Sequence, residues 1–124
     1  MSIREVGGEE IYWIVTCTVS PEQMTEFKKI VGQLIAAAKN EAGTLAYEFS
    51  IDADQSIVHI FERYRNSDAI VSHVTQTFGP FAERFLAVAR VLGFVVYGTP
   101  STEAREVLAG FNPTYMTPFD GFTR

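Results

Sequence analysis

Residues 11–19, IYWIVTCTV, place Trp13, Val15, Cys17 and Val19 on one side and Tyr12, Ile14, Thr16 and Thr18 on the other. β-branched and aromatic residues at period two predict a strand covered on both faces. Ser20-Pro21-Glu22-Gln23 follows with a capping serine, a proline at the first helical position and a capping-box glutamine. The helix this opens is predicted over about Pro21 to Glu41. Its apolar positions Met24, Phe27, Ile30, Val31, Leu34, Ile35 and Ala38 step by three and four, the stripe of a helix packed on a sheet. Gly43 suits a left-handed residue past its end.

TLAYEFSID (44–52) alternates Leu45, Tyr47, Phe49 and Ile51 against Thr44, Ala46, Glu48 and Ser50. ADQS then supplies a turn, and IVHIFERYR (57–65) splits into Ile57, His59, Phe61, Arg63 and Val58, Ile60, Glu62, Tyr64. Together they predict an antiparallel hairpin. Asn66-Ser67 caps a helix of about Asp68 to Gln76, and Phe78-Gly79-Pro80 breaks it. A second piece, about Phe81 to Leu92, has Phe81, Phe85, Leu86, Val88 and Ala89 as its apolar stripe. GFVVYGT (93–99) reads as a fourth strand.

The order β-α-β-β-α-β defines an α+β, ferredoxin-like plan, an antiparallel sheet with both helices on one face. The first and third strands carry apolar residues on the other face too. In a chain this small that predicts a homodimer, sheet against sheet. Residues 100–124 add a short helix at Thr102 to Ala109 and an aromatic arm. There Phe111, Tyr115, Phe119 and Phe122 recur, but Pro113 and Pro118 forbid a continuous helix. The arm packs across its own body or the partner, or closes over a pocket as a lid.

At 124 residues the chain is read as one domain, with a core of about 10–99 and the C-terminal helix and arm beyond it. A net charge of −5 with 47% hydrophobic residues argues against nucleic acid as a partner. No uncharged run is long enough to span a bilayer. The charged opening MSIREVGGEE lacks the form of a secretory signal, and a single cysteine excludes an intramolecular disulfide, so a cytoplasmic location is expected. Cys17 reads as buried and inert. One Cys and two distant His make no thiolate or multi-histidine metal site, and no glycine-rich phosphate loop occurs. Ser72 beside His73 points away from it on a helix and sits in no nucleophile elbow, which disfavours hydrolase chemistry. Glu48 and Glu62 read as structural carboxylates that pair with Arg63 or Arg65 across the sheet or across the dimer.

EAGTLAYEFSID…IVHIFERYRNSDAIVSHV has a glycine before the second strand and Tyr47-Glu48 within it. Glu62 is followed two residues later by an aromatic, and His73 lies on the next helix. Over roughly Ile11 to Tyr97 this resembles the antibiotic biosynthesis monooxygenase family. The resemblance implies a dimeric α/β barrel of two ferredoxin-like protomers, each with an apolar pocket between helices and sheet. It also implies oxidation of a hydroquinone or polyphenolic, polyketide-like aromatic with O2 as co-substrate and no bound cofactor.

Deprotonation makes such a phenol its own electron donor, so the protein need supply only a base, an apolar pocket and hydrogen-bond donors. By the resemblance His73 is the base and Tyr64, standing where the family usually has tryptophan, orients the substrate. His73 has a second reading as a core histidine bonded to Thr77, and Tyr64 as a space filler. Trp13 and Tyr47 are candidates for the pocket wall and Phe78, Phe81 and Phe85 for its mouth, although plain core packing is the default reading of each. A non-catalytic barrel binding a hydrophobic small molecule, and a haem-degrading oxygenase, are the alternatives. Tyr64 and the lack of a first-strand asparagine weigh against haem.

Overall fold

The computed structural model describes residues 4–5 and 9–124. Five strands form the main sheet: β2 (Ile11–Thr18), β3 (Thr44–Ile51), β4 (Ile57–Tyr64), β5 (Arg90–Tyr97) and β6 (Thr114–Met116), in the order β3-β4-β2-β5-β6. The first four are antiparallel in the ferredoxin-like arrangement, and β6 adds a parallel strand at the edge beside β5. A two-residue strand, β1 (Arg4–Glu5), pairs with β7 (Phe122–Thr123) outside this sheet.

Period two sorts the strands as expected. Ile11, Trp13 and Cys17 of β2 and Val58, Ile60, Glu62 and Tyr64 of β4 are buried on the helix side. Tyr12 stacks on Tyr97 at 4.8 Å on the other side, with Phe61 6.0 Å away. Arg63 therefore faces away from Glu62. It pairs with Glu10 at 2.6 Å, so among the described residues Glu62 pairs with no arginine of its own sheet.

The first helix is shorter than its pattern predicts. Pro21–Gln23 is a 3₁₀ turn in which the Ser20 hydroxyl bonds the Gln23 side chain instead of the backbone, and α1 runs Met24–Ala38. Glu41 thus lies in the turn beyond α1, where its carbonyl accepts from Thr44 N. Gly43 does not adopt positive φ. Its requirement is space, because a Cβ there would sit 2.6 Å from Ala69 Cβ.

The expected break at 78–80 is instead a change of helical pitch. From α2 (Ser67–Ser72), capped by Asn66 accepting from Ala69 N, the chain passes through a π turn (His73–Phe78) and a 3₁₀ turn (Gly79–Phe81) into α3 (Ala82–Val88). Pro80 is tolerated at the start of its 3₁₀ turn, where a missing N–H costs little. α3 ends four residues before the predicted Leu92, because Arg90 and Val91 pair with Thr18 and Cys17 of β2. Strand pairing there overrides the helical stripe. A register shift opposite Thr16/Cys17 leaves Leu92 about half exposed.

α4 (Thr102–Leu108) and a 3₁₀ turn (Ala109–Phe111) lead to Asn112, whose left-handed φ of 52° turns the arm back along β5. Gly98 is needed at φ +130°, where a side chain would also meet Ile11. Of the arm's aromatics, Tyr115 packs under Arg105, while Phe119 is almost fully exposed.

Two apolar clusters fill the space between sheet and helices. One gathers Cys17, Phe27, Ile30, Leu34 and Phe85 beneath α1 and α3, and the other Ile11, Trp13, Tyr64, Ile70 and Leu108 beneath α2 and α4. No helix among the described residues is long and apolar enough to cross a membrane.

Candidate functional site

At the seam of the two clusters lies a cavity of about 60 Å³. Trp13, Phe94 and Leu108 come to it from one cluster, Ile60 and Phe85 from the other, with Val15 between. Tyr47, Val74, Phe78 and Phe111 complete most of the wall. Glu62 and His73 are the ionisable groups in this apolar lining apart from the Tyr47 phenol. Leu86, Val91, Phe94 and Phe111 also line an open groove of about 720 Å³ along β5.

His73 begins the π turn and is 2% exposed. Its Nδ1 lies 2.8 Å from Glu41 Oε1, and its Nε2 lies 3.5 Å from Glu62 Oε1. Glu62 Oε1 also accepts from the Tyr64 hydroxyl at 2.5 Å, while Thr77 donates to Glu41 Oε2 at 2.6 Å. Thr77 therefore meets His73 through Glu41 and not directly. The rings of Tyr47 and Tyr64 stand 5.2 and 5.3 Å from the imidazole.

Burial pushes the Glu62 carboxyl above its ordinary value and Glu41 adds to the push, while His73, Tyr64 and the Trp13 indole favour the charged form. The indole N–H makes no full hydrogen bond among the described residues, so its influence on Glu62 is through proximity. Burial, reinforced by Glu62 and Glu41, raises the Tyr47 phenol far above its usual range; Tyr64 is raised the same way, chiefly by burial and then by Glu62. Both phenols thus keep their protons, and Tyr64 donates its own to Glu62. Because Glu41 and Glu62 address opposite edges of one imidazole, they do not converge on a common point. Among the described residues no group of three or more acidic, His or Cys side chains could hold a metal ion.

Of the residues singled out from sequence, His73, Trp13, Tyr47, Phe78 and Phe85 are brought together around the cavity. Two are not. Tyr64 is fully buried behind the wall with its hydroxyl committed to Glu62, and Phe81 lies outside, packed against the α1/α3 cluster beside Arg84. Glu41 and Glu62 were not read as site residues. Glu62 had a signal, a carboxylate on the inward face shared with Val58 and Ile60; Glu41 had none, since its role depends on a contact 32 positions away.

A buried histidine–carboxylate pair in the lining of an apolar cavity is thus set in a ferredoxin-like α+β domain. The family model for antibiotic biosynthesis monooxygenases matches residues 11–78, and the chain belongs to that family. No curated protein matches the sequence. Among solved structures, MupZ from Pseudomonas fluorescens is similar, with a TM-score of 0.82 at 20% identity over 94% of this chain and 96% of that one. SnoaB from Streptomyces nogalater, a cofactor-independent oxygenase, superposes with a TM-score of 0.64 at 16% identity, covering 77% and 97%. A proposed antibiotic biosynthesis monooxygenase from Caulobacter crescentus gives 0.62 at 25% identity, covering 73% and 88%.

Proposed function

We propose that the protein is a cofactor-independent monooxygenase that oxidises a hydroquinone or polyphenolic, polyketide-like aromatic with O2. The observation that carries this reading is His73 in the lining of an apolar cavity, its Nε2 3.5 Å from Glu62 Oε1, with Trp13 and Phe94 in the same lining. Family membership and the likeness to SnoaB support the reaction class. In the proposed step the substrate hydroxyl gives its proton to His73, and the resulting phenolate transfers electrons to O2. One oxygen atom then enters the ring and the other leaves as water, the substrate supplying all four electrons. Apolar walls keep water from the anion, and Tyr64 serves by holding Glu62 instead of touching substrate.

A cavity of roughly 150 Å³ holds benzene, so a site of about 60 Å³ admits an aromatic ring only when a wall gives way. Leu86 and Phe111 are shared with the open groove and partly exposed, which makes them the walls that yield.

O2 uptake by chelator-treated protein across a panel of hydroquinones, with His73→Ala beside wild type, tests the proposal. Loss of the base is expected to cost about 10²- to 10⁴-fold; a variant that keeps wild-type turnover removes His73 from the mechanism. A second reading, proton-transfer chemistry of an isomerase or cyclase, is favoured by the placement of a burial-raised carboxyl next to the imidazole. Substrate consumption without O2 uptake would select it. Ligand binding without product would select a non-catalytic barrel.

We further propose that the protein acts as a homodimer through the helix-free sheet face, on which Tyr12, Phe61 and Tyr97 form an aromatic patch. Sedimentation equilibrium at micromolar concentration should return twice the chain mass, and a monomer would remove the proposal.

A further inference from the structure

Glu41 meets the imidazole at the nitrogen away from Glu62 and does not line the cavity, and both of its carboxylate oxygens are held. Oε1 accepts from the Thr44 hydroxyl at 3.0 Å and lies 2.8 Å from His73 Nδ1; Oε2 accepts from Thr77 at 2.6 Å. Thr44 opens β3, and His73 and Thr77 both lie in the π turn, so two segments of chain converge on one side chain that comes from the turn after α1. Thr77 lies four residues after His73 in the π turn, and both side chains reach the same carboxylate. The Glu41 side chain is 17% exposed against 3% for His73. Glu62 is buried more deeply than Glu41, at 8%.

Two carboxylates compete for the imidazole's hydrogens, and geometry separates them. The Glu41 contact has hydrogen-bond length, whereas 3.5 Å from Nε2 to Glu62 exceeds it. We propose that Glu41 is the positioning residue of the site. It holds His73 as the Nδ1–H tautomer, so that the Nε2 lone pair faces the cavity, and it stabilises the imidazolium formed when Nε2 takes a proton. Glu41 does not touch substrate and is not itself protonated in the cycle. The proposal rests on the reading of His73 as a base, but its first test does not require turnover.

That test is histidine ¹⁵N NMR on the full chain carrying His59→Gln, which removes the other histidine's signals. At a pH where the ring is neutral, Nδ1–H is expected. An Nε2–H tautomer would overturn the proposal even if the protein proves to be an oxygenase. Glu41→Ala is then expected to release the tautomer preference and to lower kcat about 10²-fold or more, with KM changed little. Glu41→Gln preserves the packing if the alanine variant does not fold. It should lower kcat comparably, because the charge that steadies the imidazolium is gone. Wild-type kcat in Glu41→Gln, or a kcat loss in Glu41→Ala with the tautomer unchanged, contradicts the assignment. Failure of wild type to consume any phenol, with Nδ1–H observed, would instead strike only the oxygenase reading.

Discussion

Two helical stretches cover the same face of the sheet and serve it differently. α1 is a regular helix of 15 residues whose buried stripe, Phe27, Ile30, Leu34 and Ala38, closes over Cys17, Val58 and Ile60. The stretch from Ser67 to Val88 changes pitch three times and buries a histidine and a threonine among its few inward residues. Unbroken α-helical periodicity makes a continuous apolar stripe and seals the core beneath it. Interrupted periodicity leaves the stripe incomplete, and the cavity, His73 and Thr77 occupy the gap. The irregular stretch is thus where a site can exist, and the regular one is what keeps the sheet in place for it.

The contrast can be tested first by truncation. Leu34→Ala, at a fully buried position, is expected to cost about 2–5 kcal/mol in chemical denaturation. Val74→Ala, half-buried at the cavity, should cost about 1 kcal/mol or less. Equal losses would mean that the irregular stretch is packed as tightly as α1.

A smaller effect is expected where the two stretches touch. Gly43→Ala forces its Cβ against Ala69 at the start of α2, a clash of the kind that costs about 1–3 kcal/mol. Because Glu41 precedes Gly43 and His73 follows Ala69, the clash should also pull the His73–Glu41 contact apart and reduce turnover. Ala69→Gly added to it should restore part of both, and a double variant no better than the single one would show that the contact does not couple the segments.

The mildest effect concerns Glu62. Its folded carboxyl is raised above the unfolded value of about 4.3, chiefly by burial. The folded protein therefore holds that proton more tightly than the unfolded chain does. The stability it contributes is full below the unfolded pKa and is lost as pH rises through the folded one. Glu62→Gln keeps an acceptor for Tyr64 without the ionisation, so its Tm should exceed that of wild type at pH 7 and converge with it near pH 4, while activity falls. A wild-type Tm at or above the variant's at pH 7 would show that the hydrogen bonds to Glu62 outweigh its burial.

The four long strands, the hairpin, the first helix and the ferredoxin-like order were legible in the chain, because each rests on a period, a cap or a turn within a few residues. Val58, Ile60, Glu62 and Tyr64 share a strand face in the structure as they do in the pattern. The errors came where distant pairing outweighs local preference. α3 gives way at Ala89 because β2 takes up Arg90 and Val91, and Gly43 is demanded by Ala69 and not by a left-handed cap. The aromatic arm's parallel strand beside β5 follows from a neighbour far away in sequence.

His73 was visible as an imidazole out of place on a helix, and Glu62 as a carboxylate out of place on an apolar strand face. Neither position reveals that the two lie 3.5 Å apart, nor that Glu41 approaches the other edge of the same ring. Local sequence determined which segments are strands and helices and which face of each is apolar, since those depend on spacing along the backbone. Tertiary structure alone decided which polar groups meet and that the seam between two cores stays open, since those depend on how the helices settle on the sheet.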